Sequence, residues 1–102
     1  MRINIKIMTH AIADGQPDTL TIDRKGAAKR RRQLLKGKEK VSGCDRDEYP
    51  PAMFKEGGIR DDGSEASVRS ISFSDNRGAG SYFGNLLRGQ PDGAKVKFKV
   101  VP

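Results

Sequence analysis

Three carboxylates and one guanidinium stand next to each other in the run Asp45-Arg46-Asp47-Glu48. Carboxylates this close repel one another unless a cation or hydrogen bonds hold them, so the run is typical of a salt-bridged loop or of a site for a hard divalent metal ion. On a strand, successive side chains alternate between two faces. Asp45 and Asp47 would then share one face, with Arg46 and Glu48 on the other. Asp47 is therefore a candidate general base, and both interpretations of the run stay open.

A second candidate lies at residues 74–81, which read Ser-Asp-Asn-Arg-Gly-Ala-Gly-Ser. Ser74 is typical of a helix N-cap, and the apolar residues that follow recur at helical spacing. Two glycines in the first turns of a helix cost roughly 1 kcal/mol each relative to alanine. This cost indicates a close approach there, for example by a phosphate at the helix N-terminus. A capped helix that packs its glycines against a sheet explains the same residues equally well.

The positive charge of the chain is concentrated in one segment. The 20 Lys and Arg residues outnumber the 13 Asp and Glu residues, for a formal net charge of +7. Residues 24–40 hold nine basic residues and one acid, a net of +8, so the rest of the chain sums to −1. Such a segment predicts a polyanionic partner, with Lys29, Arg30 and Arg31 as candidate phosphate contacts. A solvated cationic helix face is the alternative.

Several classes of protein are excluded by composition. The single cysteine, Cys44, allows no internal disulfide, and with one histidine, His10, no Cys/His zinc site can be assembled. No apolar run approaches the roughly 18 residues that a membrane span needs. The first seven residues alternate in polarity and lack the apolar block of a signal peptide. The 102 residues are expected to form one domain, 1–102.

The spacing of apolar residues predicts an α+β fold with a small mixed or antiparallel sheet and two principal helices. Asp23 is expected to cap a helix that runs to about Leu35 and is ended by Gly37, and Ser74 is expected to cap the second helix. Residues 41–66 contain Pro-Pro and Gly-Gly pairs and are expected to be mostly loop around a short strand. Other strands are expected at residues 2–7, 20–22, 68–73 and 95–100, the last with one face rich in lysine.

Three motifs occur together and in a fixed order along the chain. They are Cys44-Asp-Arg-Asp-Glu-Tyr-Pro-Pro-Ala-Met, Lys55-Glu-Gly-Gly, and Ser74-Asp-Asn-Arg-Gly-Ala-Gly-Ser-Tyr-Phe-Gly-Asn-Leu. In sequence and spacing they resemble the bacterial NucA/NucB deoxyribonuclease family. The resemblance covers roughly residues 20–101, including the basic helix and the closing Asp92-Gly-Ala-Lys-Val segment.

The resemblance implies a compact variant of the ββα-metal (His-Me finger) nuclease site. Asp47 stands where most such nucleases have a histidine that activates water. Asn76 matches the asparagine that commonly holds a divalent ion, and Asp45 or Glu48 would supply a further ligand for Mg²⁺ or Mn²⁺. Arg46 or Arg77 would clamp a phosphate. We therefore expect Asp47, Glu48 and Arg46 to be catalytic, Asn76, Asp45 and Glu48 to bind metal, and Arg77, Arg30, Arg31 and Lys29 to bind substrate.

The implied activity is metal-dependent hydrolysis of DNA with little sequence specificity, and cleavage of RNA stays open. We expect a monomer without a membrane partner, which is secreted or delivered to a target cell although no signal peptide is evident. Related domains occur as toxin tips of larger bacterial effectors, for which an immunity protein would be expected. The alternatives are a non-catalytic nucleic-acid-binding module and a small interaction protein whose basic face binds an acidic partner.

Overall fold

Two small sheets and one helix make up the described part of the fold. The computed structural model describes residues 2–7, 12, 14–72 and 84–100. A short 3₁₀ turn at Arg24–Gly26 leads into the helix. In chain order the elements are β1 (Arg2–Ile7), β2 (Thr19–Thr21), α1 (Ala27–Leu35), β3 (Cys44–Tyr49), β4 (Ser67–Ser72) and β5 (Lys95–Val100). The expectation of a small mixed fold of helix and sheet is confirmed.

The first sheet is mixed and has the strand order β1-β5-β2. Strand β5 pairs in parallel with β1 and antiparallel with β2. Side chains of β5 alternate between the two faces of the sheet: Val96 and Phe98 are buried, whereas Lys95 and Lys99 are exposed. One face of this sheet therefore covers the core, and the other carries the lysines.

The second sheet is an antiparallel pair of β3 and β4. The register places Asp47 opposite Arg69 and Glu48 opposite Val68. The strand expected somewhere in residues 41–66 is thus six residues long and contains the whole carboxylate cluster. The alternation that the sequence predicts for this cluster applies, because the cluster lies on a regular strand.

One apolar cluster joins the two sheets. The ring of Phe98 on β5 contacts Tyr49 at the end of β3 and Phe54 beyond it, both edge-on, with centroids 5.9 and 5.6 Å apart. The tyrosine hydroxyl donates a hydrogen bond of 2.9 Å to the carbonyl of Pro17. The cluster consists of Leu20, Ile22, Tyr49, Phe54, Leu87, Val96 and Phe98. These contacts hold the end of β3 against the first sheet.

Helix α1 begins differently from the prediction but ends as expected. Asp23 makes no capping hydrogen bond, so its predicted role as a helix cap is wrong. Its carboxylate instead accepts a hydrogen bond from Arg30, the fourth residue of α1, at 2.5 Å. At the other end Leu34 and Leu35 are buried, and Gly37 adopts a positive φ of 76° that stops the helix.

The second predicted helix falls largely on residues 73–83, which lie outside the described part of the chain. Residues 84–86 are helical, and Leu87 directly after them is fully buried in the core. The ββα-metal arrangement depends on this helix and stays a prediction. Within the described ranges, no helix has the length and apolar character needed to cross a membrane.

Candidate active site

The two faces of β3 look toward different surroundings. Glu48 pairs with Arg31 of α1, and the guanidinium of Arg46 donates to the Lys38 carbonyl after α1, at 3.3 Å. These two strand residues therefore face the helix. Asp47 lies between them in sequence and so faces the other way, on the side of Tyr49, which packs against the first sheet. The structure separates the predicted catalytic residues onto two faces.

Asp47 is partly buried and lies directly across the strand pair from Arg69. Burial raises the pKa of this carboxyl, and the positive charge of Arg69 opposes part of that rise. A carboxylate with a raised pKa is a stronger base than an ordinary aspartate, which is what proton abstraction from water requires. Arg69 is itself exposed, so its guanidinium can reach a solvent-borne ligand beside Asp47.

Glu48 is the most enclosed carboxylate of the cluster, with 3% of its side chain exposed. Burial raises its pKa; the charges of Arg31 and Arg46 lower it, and that of Asp47 raises it, with a net rise. One carboxylate oxygen accepts the hydrogen bond from Arg31. The other, Oε1, is buried and has no hydrogen-bond partner among the described residues. Glu48 therefore pairs with the helix through one carboxylate oxygen, and its other oxygen, Oε1, can accept a further hydrogen bond.

A basic cleft of about 810 Å³ lies between α1 and Arg46 of β3. Among the described residues, four cations and no carboxylate line it, over a floor that includes Ala28 and Leu35; the cations are Arg31, Arg32, Lys36 and Arg46. Because one guanidinium group can donate two parallel hydrogen bonds to the oxygens of a phosphate, this cleft is suited to a phosphodiester backbone. It lies on the Glu48 face of β3, not on the Asp47 face.

The three helix cations predicted to bind substrate have different surroundings. Lys29 is exposed on α1. Arg31 is about half exposed and pairs with Glu48. Arg30 is largely enclosed, and its guanidinium donates to the Asp23 carboxylate and to the carbonyl of Ala52, at 2.5 and 2.6 Å. Phosphate contact by Arg30 would require these bonds to break, so the structure gives this residue a role in holding the 50–58 segment against α1.

The predicted metal ligands are only partly within the described residues. Asn76, and the predicted phosphate ligand Arg77 beside it, lie outside them. Asp45 and Glu48 lie on opposite faces of a regular strand, which prevents them from binding one ion together. No group of three or more Asp, Glu, His or Cys side chains suited to a metal occurs in the part of the chain that the structure describes.

Arg69 is a candidate site residue that the sequence alone does not identify. It lies on the strand predicted at 68–73, but a strand prediction does not say which residue stands opposite Asp47. The hairpin register decides that. The expectation that the carboxylate run forms a hairpin with the next predicted strand would have pointed to Arg69.

Comparison with known proteins matches this chain to a family. A model of the family described as deoxyribonuclease NucA/NucB matches residues 7–101, which include β3, β4 and β5. A DNA-entry nuclease of Bacillus subtilis (strain 168) is 50% identical over 95 residues. The aligned region is 93% of this chain and 61% of that relative, so the chain spans about three fifths of the relative's length.

Proposed function

Because the chain belongs to the NucA/NucB deoxyribonuclease family, we propose that it is an endonuclease that hydrolyses DNA phosphodiester bonds with little sequence specificity. The observation that carries the proposal is Asp47, whose pKa is raised by burial and which lies opposite Arg69. Low specificity is expected because the candidate contacts are cations, and phosphate contacts carry no sequence information.

Asp47 acts as the general base in this proposal. Its carboxylate accepts a proton from water as the water oxygen attacks the phosphorus, and the bond to the leaving 3′ oxygen breaks. General base catalysis of this kind contributes about 10²- to 10⁴-fold in rate. Arg69, on the same rung of the strand pair, supplies donors for the non-bridging oxygens of that phosphate.

Glu48 and Arg46 contribute from the opposite face of β3. The pair of Glu48 with Arg31 fixes α1 against β3, which holds the strand that carries Asp47. Arg46 lines the basic cleft and is proposed to bind a phosphate away from the scissile bond. This division changes the roles expected for the two residues from direct chemistry to positioning and substrate binding.

A divalent ion, Mg²⁺ or Mn²⁺, is proposed as the cofactor, and the residues present fit it in part. The oxygen donors of the cluster suit a hard ion. The open Oε1 of Glu48 is an acceptor, but the cations Arg31 and Arg46 beside it disfavour another positive charge. Asp45, on the face of Asp47, is the better candidate, together with Asn76. When bound, the ion would stabilise the negative charge that develops on the phosphoryl and leaving oxygens.

Plasmid nicking tests the proposal directly. The chain should convert supercoiled to nicked DNA with Mg²⁺ or Mn²⁺, and EDTA should stop it. D47A should lose at least 10²-fold in rate while remaining folded. D61A removes an exposed loop carboxylate and is the matched control that should cut normally. A folded D47A protein with near-native rates would refute the role of Asp47, and cleavage that EDTA does not affect would refute the metal.

A non-catalytic DNA-binding module is the second candidate, and the basic cleft favours it. This candidate predicts binding that weakens with salt and DNA that stays intact after long incubation with Mn²⁺. The same nicking assay separates the two functions. Plasmid that stays intact would support the DNA-binding module and not the nuclease.

A toxin role with an immunity protein is a further proposal for the same chain. The charge of residues 24–40 would fit an acidic inhibitor that covers the basic cleft. Producing cells should then grow poorly when they make the active domain in the cytosol without a partner. Normal growth with full nuclease activity in the lysate would contradict the toxin role.

A further inference from the structure

The outer face of the mixed sheet carries a row of lysines that the proposed cleavage site does not use. Lys95, Lys97 and Lys99 alternate along β5 with two core residues, Val96 and Phe98, that are 0% and 1% exposed. Burial of these two residues forces all three lysines onto the opposite face. We call this row the lysine face. Its members lie about 6.6 Å apart along the strand, as alternate residues of a strand do.

Carboxylates of the described residues offset only part of the positive charge of the lysine face. Asp18 pairs with Lys97 at 2.7 Å. The nearby carboxylate of Glu56 accepts hydrogen bonds from the backbone and hydroxyl of Thr21 at 2.6 and 2.9 Å. Lys95 donates to the same hydroxyl, and Lys99 is exposed. Lys95 and Lys99 are therefore the members whose charge is open to an external anion.

From these observations we infer that the lysine face is a second DNA-binding surface, distinct from the cleft between α1 and β3. The inference rests on the proposed nuclease function for the identity of the polyanion. The three lysines span about 13 Å, and a duplex of that length carries about eight phosphate charges, at one per roughly 1.7 Å. An evenly spaced row of cations suits this regular array better than the scattered carboxylates of an acidic protein.

The lysine face and the candidate active site lie on different sides of the first sheet. Tyr49, at the end of β3, packs against Phe98 on the core side, whereas the lysines project from the other side. Duplex bound to the lysine face therefore does not compete with the phosphate at Asp47. Its contribution is to overall affinity, which should appear as salt dependence.

Salt-dependent binding of a labelled duplex tests this inference. All proteins carry D47A so that the DNA stays intact, and affinity is measured by fluorescence anisotropy between 50 and 200 mM salt. The slope of log K against log [salt] is negative, and each lost phosphate contact lowers its magnitude by about 0.9. We expect K99Q to lower it by about 1, and K95Q/K99Q by up to about 2, with affinity at 0.1 M salt reduced roughly tenfold or more.

Two controls keep the result specific. K95R/K99R retains both charges and should keep the parental slope. R88Q removes one exposed positive charge that is not part of the lysine face and should change the slope little. Equal changes in K99Q and R88Q would indicate an effect of net charge and overturn the inference, and so would an unchanged slope in all variants.

The inference and the proposed function fail in different ways. If the parent chain does not nick plasmid, the proposed function is wrong. A slope loss confined to the lysine variants would still place a DNA-binding surface on the sheet. If the parent nicks plasmid and the lysine variants bind normally, the cleavage function stands and the second surface does not.

Discussion

The guanidinium of Arg31 on α1 is paired with the carboxylate of Glu48 on β3, and this carboxylate is almost completely buried. The arginine is about half exposed, so the pair is asymmetric. Loss of the arginine leaves a buried charge without a partner, whereas loss of the carboxylate leaves a cation that water can solvate. The pair is an ionic link between the basic helix and the strand with the carboxylate cluster.

This asymmetry predicts unequal effects of removing each partner. R31Q should destabilise the fold by about 1–3 kcal/mol, because a buried charged group then loses its hydrogen bond. E48Q should lower the free energy of unfolding by less, and the double variant R31Q/E48Q should recover part of the stability that R31Q loses. Urea unfolding of the three variants measures the differences. Equal losses of stability in R31Q and E48Q would show that the burial of Glu48 does not make the pair asymmetric.

Arg69 should be required for cleavage but not for folding. R69Q removes the cation opposite Asp47 and with it the proposed phosphate donors, and we expect a loss of roughly 10- to 100-fold in kcat/KM, or about 1.4–2.8 kcal/mol. R69K retains the charge and should recover part of this rate. R60Q is not a suitable control, because Arg60 bonds to the backbone of Glu56 and Glu65. The exposed Arg88, which does not line the basic cleft, supplies a control for overall charge, R88Q, which should retain more activity than R69Q.

Gly58 should be intolerant of alanine. A Cβ at this position would lie 2.2 Å from Cγ of Arg30, and its φ is +67°. Gly63 also has a positive φ, +87°, but a Cβ there would meet nothing within 4 Å. G63A should therefore cost about 1–2 kcal/mol from the backbone alone. G58A should cost clearly more in urea unfolding, and similar losses would refute the packing of Arg30 against this glycine.

The pair of Asp18 and Lys97 should contribute to stability in a pH-dependent way. The hydrogen bond from Lys97 holds the pKa of Asp18 below its ordinary value of 3.8. The folded chain therefore binds this proton more weakly than the unfolded chain, so the contribution is complete above pH 3.8 and is lost as the pH falls through the lower folded value.

The variant D18N isolates this contribution. Its Tm should lie below that of the parent at pH 7, and the difference should shrink as the pH approaches 3. Thermal unfolding followed by circular dichroism at several pH values measures it. A difference that does not depend on pH would show that the pairing with Lys97 is not its source.

Much of the architecture could be predicted because local pattern determines it. The alternation of Val96 and Phe98 with lysines predicts a strand with one buried face, and the structure has that strand. The basic helix ends as predicted because Gly37 can adopt a positive φ. Its start could not be predicted, because Asp23 has a competing partner, Arg30, and the sequence does not show which contact Asp23 makes.

The sequence by itself determined that this chain is a member of a deoxyribonuclease family, with a cluster of three acids at residues 45–48 and a segment of net charge +8. These properties follow from residue order and local geometry. Only the tertiary structure decided which faces meet. The pairing of β3 with β4 sets Asp47 opposite Arg69, and the packing of α1 directs Glu48 to Arg31. Such contacts join residues that are distant in sequence, and register and packing alone fix them.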